Sequence, residues 1–301
     1  MLSIRASDSF LQKLLVMRPT LCFAENGLPP TPLMPWITPA VPPQLFKAML
    51  ETGTVRHLHP GEYIFKQNER FDRLVMLLNG LGGRAFGSLY TQTASAIALS
   101  VPMRILGGNH CFFSARPGVG RYFALTEADV LSARSADLKH LMRADFPLAE
   151  ESASFLDMLL QSDRIGLGAI ALLPTRSRIL VWALSWGFIY GDLERDALGR
   201  EVLRLSPVLP MDLLARVICA NPSQIKRDFA ALKAEKIFGR DGQDFLFLAE
   251  ALDSVWNWLY SIEELESALR RSPEWRGYVA GKRIDCAPAV RRLIADKSGR
   301  E

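Results

Sequence analysis

The sequence lacks most of the features that classify a chain at first sight. No apolar run approaches the ~18 residues that a membrane-spanning helix needs. The four cysteines (Cys22, Cys111, Cys219 and Cys286) are scattered and form no CxxC pair, which excludes a zinc ribbon and a disulfide framework. No HExxH, GxSxG or P-loop segment occurs, and no Cys–His pair stands in a catalytic arrangement, so an enzyme is not expected. The opening MLSIRASDSFLQKLL has neither the apolar stretch nor the cleavage site of a secretory signal, and a cytoplasmic location is expected. Neither sign of charge dominates: 36 Lys and Arg face 32 Asp and Glu, a net of +4. That balance permits nucleic-acid binding only where the basic residues are concentrated locally.

What is present fits a protein of two domains with extensions: 301 residues, 49% of them hydrophobic. Residues 1–44 read as a Pro-rich arm, with seven prolines from Pro29 to Pro43 that forbid a continuous helix or a central strand. Trp36 could anchor this arm as a strap, or the arm could be a loose leader. Residues 45–146 begin with a short helix, Pro43 to Leu50. Short apolar or alternating runs follow: Val55–Leu58, Tyr63–Phe65, Leu74–Leu78, Arg84–Leu89, Ala94–Leu99, and a last strand from Tyr122 through Leu131. The turn pairs Pro60-Gly61, Asn79-Gly80, Gly82-Gly83 and Gly107-Gly108 punctuate them, a spacing that predicts an antiparallel barrel or jelly roll.

Residues 147–173 read as one long helix. Leu148, Phe155, Met158 and Leu159 form an apolar row of roughly heptad spacing that could pair with a second copy or pack in a core. Gly166 and Gly168 mark a possible bend. After Pro174 a buried helix is expected from Arg178, leading into residues 174–250. Beyond, 251–301 read as a helical extension, with one helix to about Arg271 and another from Ala287 to Ile294.

The densest signal is Met211 to Phe238. One helix is expected from Asp212 to Ile218, a turn at Cys219-Ala220-Asn221, and a second helix started by the Asn221 cap and Pro222. Gln224 stands at capping-box spacing. Ile225, Phe229 and Leu232 form a single buried stripe on that second helix. Ser223, Gln224, Lys226 and Arg227 lie off the stripe, with Ala230 and Lys233 beyond. From Leu213 to Arg240 six basic residues face two acidic ones, a local +4. Two aromatic runs then flank Gly239-Arg240-Asp241-Gly242, which reads as a hairpin with Arg240 on its turn. Helix, turn, helix and hairpin make a winged helix, and a helix that offers polar, basic residues at its N-terminal end suits the major groove of double-stranded DNA. An ordinary pair of core helices with a solvated face would show the same spacing.

The order barrel, long helix, winged helix resembles the Crp/Fnr superfamily of bacterial transcription regulators. HPGEYIFKQNERFDRLVMLLNG is similar to that family's opening barrel signature, and ALTEADVLSARSADLKHLM to its last strand and following helix. LLPTRSRILVWAL, with Arg178, resembles the segment after the dimer helix, and LLARVICANPSQIKRDFAALKAEKIF the helix-turn-helix. The resemblance spans about 45 to 250. It implies an α+β fold: an antiparallel β jelly roll like a cyclic-nucleotide-binding domain, a dimerisation helix, and a C-terminal winged helix with a helical extension. It also implies a homodimer on an inverted-repeat operator and contact with RNA polymerase, with Ser223, Gln224, Lys226, Arg227 and Arg240 meeting DNA.

The departures restrict the ligand. Cyclic-nucleotide binders in the family carry a Gly-Glu pair followed by Arg-Ser-Ala or Arg-Thr-Ala. The equivalent RILGGNHCFFSARPGVGRYFAL has neither, and Arg116 and Arg121 fall outside the pattern. A buried phosphate without its arginine is poorly stabilised, so no cyclic AMP is expected. Cys22 alone cannot hold an iron–sulfur cluster, and the neighbours His110 and Cys111 would point to opposite strand faces rather than to one haem iron. No cofactor and no metal are therefore expected, and the effector stays open. A second reading stays open too: a small-molecule-binding or protein-interaction module whose winged helix does not bind DNA specifically.

Overall fold

The computed structural model describes residues 33–66, 68–86, 96–109, 112–114, 117, 118, 120–206, 208–261 and 275–280. Backbone contacts divide these into two compact units. The first is built from residues 38–162, the second from 33–37 with 163–280. Among the described residues no helix is long and apolar enough to cross a membrane. The expected helix from Ala287 to Ile294, the pair His110-Cys111, and Arg116 lie outside the described residues.

The first unit holds two four-stranded antiparallel sheets. Its elements are α1 (Pro43–Thr52), β1 (Thr54–Leu58), β2 (Tyr63–Phe65), β3 (Arg73–Asn79), β4 (Gly82–Phe86), β5 (Ala96–Ser100), β6 (Arg104–Gly107), β7 (Arg121–Ala124) and β8 (Ala128–Arg134). They are followed by α2 (Ser135–Ala144) and the start of α3 (Phe146–Leu172). One sheet runs β1-β8-β3-β6, the other β2-β7-β4-β5. Strand β3 shows why its sequence, Leu-Val-Met-Leu-Leu, is apolar throughout rather than alternating. Val75 and Leu77 join Leu58, Leu106, Ala124 and Val130 in a core drawn from both sheets. Leu74, Met76 and Leu78 face the other way, into a core with Leu45, Phe46 and Met49 of α1, Leu138 of α2, and Leu148, Phe155 and Leu159 of α3. A strand buried on both faces loses the period-2 pattern.

Three readings of the barrel need correction. The stretch from Tyr122 through Leu131 is two strands, not one. The chain turns at 125–127, where the Leu125 N–H donates to Leu81 O at 2.8 Å, and crosses from the second sheet to the first. Strand β6 was hidden because its Gly107 reads as punctuation. A Cβ on Gly107 would lie 2.9 Å from the Phe65 ring and 3.1 Å from that of Tyr122, whose rings stack at 4.3 Å between centroids. Gly107 is thus a strand residue that leaves room for an aromatic pair, while Gly108 (φ +92) makes the turn.

The third correction concerns α3. Leu148, Phe155 and Leu159, which by spacing could pair with a second copy or pack in a core, are buried within one chain, and Met158 packs against the same core. Spacing alone cannot tell one apolar stripe from another on a helix that carries two. Glu151 turns toward α1 as well: its Oε1 accepts from the Gln44 and Leu45 N–H groups at 2.8 and 3.2 Å and satisfies the start of that helix. The helix runs without interruption through Gly166 and Gly168. Gly166 faces Trp36, whose Cδ1 would lie 3.4 Å from an added Cβ. Trp36 is buried and takes a left-handed backbone (φ 63).

The second unit is built around α4 (Thr175–Tyr190), buried on all sides from Ile179 to Phe188. Around it stand β9 (Gly191–Arg195), β10 (Glu201–Leu205), α5 (Met211–Val217), α6 (Pro222–Ala234), β11 (Phe238–Asp241), β12 (Asp244–Leu248), α7 (Ala249–Ser261) and α8 (Trp275–Ala280). The sheet order is β11-β12-β10-β9, all antiparallel. Sequence reading missed the β9–β10 hairpin. Its signals are nonetheless local: Asp196 Oδ1 accepts from the N–H groups of Leu198 and Arg200, and Gly199 adopts φ +77.

Candidate nucleic-acid interface

The interface is built from a turn outward. Helix α5 ends at Ile218, and Cys219, in left-handed backbone at φ 51, reverses the chain. The carbonyls left over at a helix end need donors. Arg178 of α4 supplies them: its Nη1 donates to Ile218 O at 2.8 Å and to Cys219 O at 2.9 Å, and its Nη2 to Thr175 Oγ1 at 3.2 Å. A cation placed there also opposes the negative end of the helix dipole. The next helix starts at a true side-chain cap, since Asn221 Oδ1 accepts from the Ser223 N–H at 2.8 Å, with Pro222 following.

Helix α6 buries Ile225, Phe229 and Leu232 and nothing else. Phe229 is the rivet. Its ring lies 4.7 Å from Phe238, 5.6 Å from Phe245 and 6.4 Å from Phe247, so helix and hairpin share one aromatic cluster. Aromatic contacts of this kind add roughly 0.5–1.5 kcal/mol per pair beyond buried area. At the far end, Arg176 makes a bidentate pair with Glu235 just past α6, and that arginine holds the Glu235 carboxyl below its usual range.

The outward face of α6 carries Ser223, Lys226, Arg227, Ala230 and Lys233, all exposed. Gln224 is half buried, and here the structure departs from expectation. Its side chain does not return to the cap: Nε2 donates to Asp228 Oδ1 at 2.8 Å, and Oε1 accepts from Arg227 Nη2 at 2.5 Å. The Gln224 side chain joins a surface chain one turn further on instead of closing a capping box. Arg227 is thereby held on the helix surface rather than free to swing.

Arg240 is not on the hairpin turn. The turn is Gly242-Gln243, closed by the pair Asp241 and Asp244, with Gly242 at φ 59. Arg240 lies inside β11 opposite Phe245, and its guanidinium sits over that ring at 4.8 Å from the centroid. It remains exposed. Phe245 thus touches both Phe229 and Arg240, which fixes the arginine relative to α6.

Sequence reasoning missed Arg204 entirely. From β10 it donates to Glu194 Oε2 at 2.9 Å, Asp244 Oδ2 at 2.9 Å and Asp241 Oδ2 at 2.8 Å. Glu194 first, then Asp241 and Asp244, hold its guanidinium even more firmly charged than usual. The Ser206 hydroxyl and Arg204 hold Asp244 below the ordinary carboxylate range. The tip of the hairpin is therefore acidic and internally neutralised, and the basic excess lies on α6. No motif could have revealed this, since the three carboxylates come from three strands or turns.

No family model matches the chain, and no curated protein matches it. Solved structures do match. FixK2 from Bradyrhizobium japonicum superposes with a TM-score of 0.56 at 13% identity, covering 67% of this chain and 96% of that one. CprK complexed with OCPA gives 0.55 at 13%, over 74% and 98%. CooA from Carboxydothermus hydrogenoformans gives 0.54 at 12%, over 69% and 88%. At these identities the likeness is one of fold.

Proposed function

We propose, from the Crp/Fnr-like fold that this chain shares with those structures, that it is a DNA-binding transcription regulator acting as a homodimer on an inverted repeat. The observation that carries the reading is the division of α6. One side is riveted to the hairpin through Phe229, and the other presents Ser223, Lys226, Arg227 and Lys233 to solvent with only Asp228 opposing them. A helix so fixed and so charged can enter a major groove N-terminus first. Gln224 and Arg227 act as one unit, Gln224 steering the guanidinium toward a guanine edge, and Arg240 supplies a phosphate contact. The barrel takes no cyclic AMP, because the paired acid and arginine of a phosphate cassette are absent from its sequence. No catalytic role is assigned.

The two copies meet along the outer ridge of α3. Every seventh residue from Phe146 is apolar and exposed: Phe146, Ala153, Leu160 and Leu167. This row lies away from the buried Leu148, Phe155 and Leu159, and it supplies one of the two apolar positions per heptad through which paired helices meet.

Selection of bound duplexes from a random pool tests the reading. The wild type should select an inverted repeat with half-sites about 34–36 Å apart along the duplex. Arg227→Ala should lose about 1–3 kcal/mol of discrimination at one symmetric pair of positions. Arg240→Ala should weaken all sequences alike and lower the salt slope by roughly one. A wild type that selects no motif, with affinity independent of salt, would mean that the winged helix docks protein instead.

A further inference from the structure

In the first unit, far along the sequence from α6, three donor groups converge that the regulator reading does not use. His57 is the penultimate residue of β1 and His59 lies just past its end, so the two side chains leave the same side of an extended segment. Their rings meet edge to face with centroids 5.3 Å apart. Glu127, in the turn between β7 and β8, reaches both. Its Oε2 lies 2.8 Å from His57 Nε2 and 3.2 Å from His59 Nδ1. The donor atoms of the three side chains all lie within 4.8 Å of one another.

Behind them stands a fourth residue. Asp129, directly across from His57 in the β1–β8 ladder, accepts at Oδ1 from His57 Nδ1 at 3.0 Å. Both ring nitrogens of His57 thus donate to a carboxylate, Nδ1 to Asp129 and Nε2 to Glu127, and an ion at Nε2 would replace only the second of these bonds. A carboxylate that holds one imidazole nitrogen while the other nitrogen faces a second donor group is the arrangement that orients histidines toward metal ions. Glu62 braces the other histidine, its Oε2 accepting from the His59 N–H at 3.0 Å.

We propose that His57, His59 and Glu127 form a binding site for a divalent transition metal of the zinc class, with Asp129 positioning His57. Two imidazoles and one carboxylate suit zinc and its borderline neighbours rather than calcium or magnesium, which prefer oxygen. Bonds of about 2.0–2.1 Å in a tetrahedron place neighbouring donors roughly 3.3–3.4 Å apart. The observed 2.8 and 3.2 Å need to open only slightly, and all three side chains are exposed enough to move. Three protein donors leave a fourth position for water or for a donor from a bound partner.

The test uses the full chain, stripped with a chelator, and Zn²⁺ or Co²⁺ chloride as the probe. One Zn²⁺ per chain should bind with micromolar affinity by calorimetry, and Co²⁺ should give the visible absorption of a tetrahedral site. His59→Ala and Glu127→Gln should each abolish the tight site without changing the thermal unfolding of the metal-free protein. Asp129→Asn should weaken binding about 10–100-fold, since it removes the brace and not a ligand. Absence of binding by the wild type overturns the proposal. So does tight binding that survives His59→Ala, which would place the ion elsewhere. Neither outcome bears on DNA binding, which rests on the other unit.

Discussion

The two faces of α3 make opposite predictions, and the contrast can be worked numerically. Phe155 has no exposed surface and sits against the barrel core. Truncating it to alanine removes a ring and leaves a cavity, a loss of about 3–5 kcal/mol for a phenylalanine that cannot be replaced by collapse. Leu160 and Leu167 are 58% and 66% exposed in the single chain. Their truncation should leave the stability of an isolated chain within about 0.5 kcal/mol. In a dimer the remaining exposed area is buried. A leucine contributes about 1.5–3 kcal/mol on full burial, and roughly 60% of that is still to be gained. Two leucines from each of two copies then contribute about 4–7 kcal/mol to association, or about a thousand- to a hundred-thousand-fold in the dimer dissociation constant. Analytical ultracentrifugation over a concentration series reads this directly, with denaturant unfolding alongside. The Leu160→Ala, Leu167→Ala double variant should be monomeric at concentrations where the wild type is dimeric, with an unchanged midpoint for the monomer. Phe155→Ala should lower the midpoint first. If the double variant stays dimeric while Phe155→Ala dissociates folded, the assignment of inner and outer faces is wrong.

Arg178→Met keeps the aliphatic stem of the residue but removes both donors to Ile218 O and Cys219 O. Charged hydrogen bonds contribute about 1.5–3 kcal/mol when buried and less at a half-exposed site, so a loss of about 2 kcal/mol in urea unfolding is expected, and DNA affinity should fall with it because the turn before α6 is loosened; unchanged stability would refute the clamp. Calorimetric titration of the full chain with cyclic AMP should show no saturable heat at micromolar concentrations, and a one-to-one isotherm would overturn the reading of the barrel.

Much of the second unit was legible in local pattern. Asn221 and Pro222 announce the start of α6, and Ile225, Phe229 and Leu232 mark its buried stripe, because a helix reports its inner face every three or four residues. The aromatic runs likewise announced a hairpin. What failed was anything that depended on a partner distant in sequence. Gln224 stood at capping-box spacing, yet its side chain pairs with Asp228 and Arg227 on the helix surface. Arg240 seemed to belong to a glycine-rich turn, but the cross-strand pair with Phe245 drew Gly239 and Arg240 into the strand and left Gly242 to reverse the chain. Gly107 read as a break until the Phe65 and Tyr122 rings showed what needed its missing side chain. Helix α3 is the clearest case. Its sequence holds two apolar rows with the same seven-residue spacing, and periodicity is blind to phase. Only the core, by filling the Leu148, Phe155 and Leu159 side, decided which row was buried inside the chain and which was left exposed. The cluster of His57, His59 and Glu127 shows the same limit: the pair of histidines is visible in sequence, but the carboxylates beside it arrive from β8 and the turn before it, more than sixty residues later, and pairing is a property of the sheet.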